Sequence, residues 1–106
     1  MTLLVIDNHD GEGTFPVFKK GTTVNNIALV NDESHWYSCV IDGHKTYIPD
    51  IYVADGVLTK DYDPTEIIVK KDQSVTLIAV VFEWLYVKDE NRKMGWLPAN
   101  KVISVF

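Results

Sequence analysis

Four residues able to bind a cation or move a proton stand within six positions near the start of the chain: Asp7, His9, Asp10 and Glu12 in IDNHDGEG. A calcium loop of the EF-hand type needs oxygen ligands in fixed alternation and a glutamate at its twelfth position. Counted from Asp7, the twelfth residue is Phe18 and the alternation is out of register. The segment is therefore expected to be a solvated, glycine-containing turn between strands, with no resident metal. His35 in NDESHWY and His44 in DGHK have no Ser, Cys or carboxylate at the spacing of a catalytic triad. Asp42-Gly43, just before His44, carries the signature of a tight hairpin turn. Cys39 is the single cysteine, which excludes an internal disulfide and a thiolate metal cluster. Its place two residues after Tyr37, in an apolar run, predicts a buried and inert thiol. No nucleophile–base pair or ligand set emerges, so the expectation is a non-enzymatic protein without a cofactor.

The aromatic residues are better candidates. Trp36 follows Asp32, Glu33 and Ser34-His35, and Trp84 follows Glu83, each at the start of an apolar run. A tryptophan at a loop-to-strand junction with carboxylates beside it can offer a flat apolar face and an attraction for basic groups. The junction predicts an exposed platform at Trp36 and leaves Trp84 open between platform and core.

Composition limits the partners. The 106 residues carry 46% apolar and 24% charged side chains, as a folded globular chain does. The net charge is −5, with 3 basic and 7 acidic residues up to Ala54 and 7 and 8 after it. There is no basic stripe to displace counterions from phosphates, so nucleic acid is not expected as a partner. The opening run MTLLVID lacks a basic segment and is too short for a signal peptide. The longest apolar stretch, Val75 to Val87, is broken by Glu83 and too short to span a bilayer. A cytoplasmic protein with no membrane partner is expected.

The elements that position these residues read as strands. β-branched and aromatic residues occur in short runs punctuated by Asp, Asn and Gly. Sliding the chain against itself reveals a repeat. FKKGTTVNNIALV (18–30) lies on VKKDQSVTLIAVV (69–81), with Lys19, Lys20, Val24, Ile27, Ala28 and Val30 matched by identical residues. Trp36 then meets Trp84, and YIPDIYV (47–53) meets WLPANKV (96–102). Two β-modules are predicted, 1–54 and 55–106, joined near Ala54-Asp55-Gly56. Modules of this size bury little surface alone, so they are expected to pack against each other. In SVTLIAVVF both alternating faces are apolar, which predicts a strand covered on both sides. Trp96 is expected on the outer face.

Each half resembles an SH3-type domain of the bacterial kind, a small barrel of about five strands. The second half offers LTKDY (58–62), EIIVKKD (66–72), WLYV (84–87) and GWLPANKV (95–102); the first offers FKKGT (18–22), WYSC (36–39) and TYIPDIYV (46–53). The resemblance implies an all-β fold of two tandem SH3-like barrels packed together. It also implies a groove for a polyproline II peptide, which arrives already ordered and presents flat apolar ridges. By that resemblance the ligand-binding residues are Trp36, Pro49 and Tyr52 in the first module. Those of the second are Tyr62, Trp84, Pro98 and Asn100. Asp32, Glu33, Asp63 and Glu83 would favour a proline-rich or basic partner. Each groove departs from the pattern: the first half lacks a recognisable ALYDY, and Lys101 stands where a closing tyrosine belongs. The expected function is protein or peptide binding. The alternatives are a structural or regulatory protein, such as an inhibitor or assembly factor, acting through a strand edge, and a module that binds cell-wall glycan.

Overall fold

The computed structural model describes residues 1–11, 14–31 and 34–104. It is all-β, with two single 3-10 turns and no α-helix among the described residues. Among the described residues, no helix is long and apolar enough to cross a membrane. The chain forms two compact units. One is continuous, Phe15–Pro64; the other is split, Met1–Thr14 with Thr65–Phe106. The divisions fall at 14/15 and 64/65, whereas the sequence repeat turns over at 54/55.

The continuous unit contains β2 (Val24–Leu29), β3 (Trp36–Ile41) and β4 (His44–Pro49) in one antiparallel sheet, and the short pair β5 (Val53–Ala54) and β6 (Val57–Leu58). Asp42-Gly43 is the two-residue β3–β4 turn, with Ile41 opposite His44. Both turn residues have positive φ, +47° and +78°, the combination whose twist suits a tight hairpin. Asp55-Gly56 makes the same turn between β5 and β6, at +52° and +76°. A further bridge joins Phe18 to Tyr62. Buried Phe18, Val24, Cys39, Ile41, Ile48, Leu58 and Tyr62 form the interior.

In the split unit a five-stranded sheet runs β10-β1-β7-β8-β9. Its strands are β1 (Thr2–Val5), β7 (Ser74–Val81), β8 (Trp84–Lys88), β9 (Met94–Pro98) and β10 (Val102–Ser104). Leu3, Val5, Ile67, Val69, Val75, Leu85, Val87 and Leu97 make its core. Each fully buried aliphatic side chain of this kind contributes roughly 1.5–3 kcal/mol. The first strand of the chain thus sits between two strands of the second half.

This arrangement preserves the repeat while exchanging its opening arms. Val53 and Val102 are repeat partners; Val53 stands opposite Leu58, and Val102 opposite Val5. Phe18 and Val69 are also repeat partners; Phe18 exchanges both backbone hydrogen bonds with Tyr62, and Val69 with His9. Leu58 and Tyr62 are four residues apart, as are Val5 and His9. Each unit is therefore the body of one half completed by the arm of the other.

Three expectations are corrected. The sheets are open, without the continuous ladder of a closed barrel. In the split unit the backbone of β9 is engaged instead by the 65–67 segment, where Trp96 N–H donates to Thr65 and Ile67 N–H to Trp96. The second face of β7 is not covered: Ile78 is 48% and Val80 59% exposed. A bulge between Leu77 and Ala79 interrupts the alternation there. Trp96 is buried, its ring centroid 5.0 Å from that of Tyr86 on the adjoining strand.

Candidate functional site

The repeat places a tryptophan and a proline side by side in each unit. Trp84 opens β8 opposite Pro98, which ends β9; Trp36 opens β3 opposite Pro49, which ends β4. These are cross-strand pairs, so their spacing is set by the sheet. Both tryptophans are half-buried. What surrounds them differs.

In the continuous unit Tyr52 and Tyr62 meet edge to face at 5.6 Å. They are only 8% and 3% exposed, and Pro49 is fully buried. The Tyr62 hydroxyl donates to the Tyr47 carbonyl at 2.6 Å. The Lys60 ammonium lies 4.8 Å from the Tyr52 ring centre, within cation–π range. His35 Nδ1 is 3.1 Å from an Asp50 carboxylate oxygen. Asp61 accepts the Lys20 N–H at 2.8 Å and pairs with Lys19 at 3.6 Å. The Lys20 N–H, more than the Lys19 charge, holds its carboxyl below the usual range. Asp63 is half-buried in this unit, while Asp32 and Glu33 lie outside the described residues.

In the split unit the same positions are more open and more polar. His9 occupies the place that Tyr62 holds in the other unit. Its Nε2 donates to Glu66 Oε1 at 3.0 Å, and its ring meets Trp84 edge-on with centroids 6.2 Å apart. The two side chains of the pair are 14% and 24% exposed. Gly11 is required beside them, because any β-carbon there would strike the Glu66 backbone carbonyl. Glu83 and Asn100 are exposed; the Glu83 carbonyl accepts from Ala99 N–H at 2.9 Å, which ties the turn before Trp84 to the turn after Pro98. Lys101 reaches Asp7 at 3.0 Å and lowers the Asp7 carboxyl, chiefly through that hydrogen bond.

The residues expected to act together are thus redistributed. Trp36, Pro49, Tyr52, Tyr62 and Asp63 belong to the continuous unit, and Trp84, Pro98, Asn100 and Glu83 to the split one. Within the split unit, Trp84 meets the His9 ring, which is in turn bonded to Glu66. His9 and Glu66 were missed as site residues, although His9 follows Val5 by the spacing at which Tyr62 follows Leu58. Chemically, the split unit offers a half-buried aromatic face, a carboxylate hydrogen-bonded to an imidazole, and exposed polar groups around it. No family model matches the chain, and neither a curated protein nor a solved structure does.

Proposed function

We propose that the chain is a non-enzymatic, SH3-type protein- or peptide-binding protein acting in the bacterial cytoplasm, and that its recognition surface lies in the split unit around Trp84, Pro98, Glu66 and Glu83. The observation that carries this reading is the His9–Glu66 pair against the Trp84 ring. It links a carboxylate, through one histidine, to an aromatic face, a combination that suits a cationic side chain of a proline-rich segment. In the continuous unit the matching tyrosines and proline are buried and serve as core. The test is titration with a proline-rich peptide carrying one arginine, followed by two-dimensional NMR. Shifts should centre on Trp84 and Glu66 and be lost in Trp84→Ala but kept in Trp36→Ala. No shift at either tryptophan sinks the reading.

A second reading rests on β2, an edge of its three-stranded sheet. Ile27, Leu29 and Val30 are 40%, 57% and 49% exposed on or just past this strand. No charge or proline stands within it; the edge is blunted by the bulge between Asn25 and Ala28. A structural or regulatory protein would use this edge. Leu29→Lys would then abolish partner capture while Trp84→Ala would not.

A further inference from the structure

We infer that His9 is a built-in competitor for the cation site of the split unit, so that affinity for a basic peptide falls as His9 takes up a proton. The inference rests on the groove reading above and adds its regulation. A ligand guanidinium drawn to Glu66 must share or displace the Nε2 hydrogen bond that His9 already makes at 3.0 Å. Neutral imidazole is a weak rival. The imidazolium form is a charged one, held to a carboxylate that is only 24% exposed, and it also repels the incoming cation. Histidine is the side chain type whose charge changes between about pH 5 and pH 8.

The position singles His9 out. The other unit has Tyr62 at the matching place, with its hydroxyl spent on a backbone carbonyl, and tyrosine carries no positive form. The backbone on both sides is fixed: His9 and Val69 exchange hydrogen bonds at 2.9 and 3.0 Å, and Gly11 lets the arm lie against the Glu66 carbonyl. The imidazole cannot swing away by moving the arm alone.

Among the described residues, the charged groups on the elements meeting His9 are few. Asp7 and Asp10 lie on its own segment, and Asp7 is held by Lys101. The segment carrying Glu66 and Val69 continues into Lys70 and Lys71, and Lys71 N–H donates to Asn8 Oδ1 at 2.7 Å. Glu83 precedes Trp84 on the third element. Glu66 is the group bonded to the ring.

The experiment uses the full chain and an arginine-containing proline-rich peptide, with the citrulline version as the uncharged control. Dissociation constants are measured at about pH 8 and about pH 5.5 for the wild-type chain, His9→Gln and Glu66→Gln. The arginine peptide should bind the wild type about tenfold more weakly at the lower pH, the scale of one unit charge near a protein surface. In His9→Gln the ratio should collapse to near one, and the citrulline peptide should show none. A pH-independent wild type, or a ratio retained in His9→Gln, overturns the competitor role while leaving the groove intact. Absence of binding at both pH values overturns the groove reading, and the regulation with it.

Discussion

Val5 and Val102 stand opposite one another in the β1–β10 ladder, 97 residues apart in the chain. The cause lies in the middle of the chain. Asp55-Gly56 is a two-residue turn with both φ values positive, and such turns send the second strand straight back along the first. The segment after β5 must therefore pair with β5, which leaves the sheet of the second half without its own opening strand. The free N-terminal strand fills that place.

Val5 is fully buried within the split unit's core. Val5→Ala should cost about 2–3 kcal/mol, the usual cost of truncating a core aliphatic side chain. Thr2→Ala, at an exposed position of the same strand, should stay within about 0.5 kcal/mol. Urea melts give both values, and the Trp84 and Trp96 indole signals should respond before that of Trp36. A neutral Val5→Ala would show that the arm is not part of this core.

The Asp55-Gly56 turn offers a second check. Gly56 has φ +76°, where a β-carbon is strained, so Gly56→Val should lose about 1–2 kcal/mol. Asp55, at +52°, is of a type that tolerates this region, and Asp55→Asn should change stability by less than about 0.5 kcal/mol. Equal losses from both would mean that the turn has another conformation.

The sequence repeat foretold much of this. Its matched segments became matched strands, and its Trp and Pro residues became cross-strand pairs in both units. Asp42-Gly43 was legible as a hairpin because two left-handed residues leave a compositional mark. Asp55-Gly56 carried the same mark but looked like a linker, since it fell where the repeat turned over. The exchange of arms was hidden for a physical reason: pairings such as Val5 with Val102 leave no local periodicity. Alternation also could not tell a covered face from a bare one, so Ile78 and Val80 looked interior. His9 was read as part of a solvated turn because its partner Glu66 lies 57 positions away and leaves no local mark.

Tyr62 separates a structural from a recognition role. Its hydroxyl bonds the carbonyl of Tyr47, whose own ring is 53% exposed. Tyr62→Phe should therefore destabilise the chain by about 1 kcal/mol through the orphaned carbonyl. Tyr47→Ala keeps the backbone acceptor and should leave that bond in place, visible as an unchanged Tyr62 hydroxyl proton signal.

Asp7 and Lys101 give a prediction about acid. The lysine lowers the Asp7 carboxyl from its ordinary 3.8, so folding favours the ionised form. A depressed folded value contributes stability above the unfolded value and loses it as pH falls through the folded one. Lys101→Met should return the Asp7 titration, followed by carboxyl carbon NMR, toward 3.8. An unmoved titration would show the contact absent in solution.

Cys39 tests the interior of the continuous unit. It is 4% exposed on β3, and loss of hydration raises its thiol from 9.0 to about 11. The protonated thiol is the form that the fold prefers, so its contribution is complete below 9.0 and disappears as pH climbs through about 11. The stability difference between the wild type and Cys39→Ala should narrow across that window. At about pH 8 the thiolate fraction is small and the sulfur is covered, so an aromatic disulfide reagent should label Cys39 only as fast as the unit opens. Added urea below the melting transition should speed the labelling. Labelling at the rate of a free thiol, independent of urea, would mean that β3 does not face a closed interior, and Tyr52 and Tyr62 of the same unit would then return as candidates for a groove.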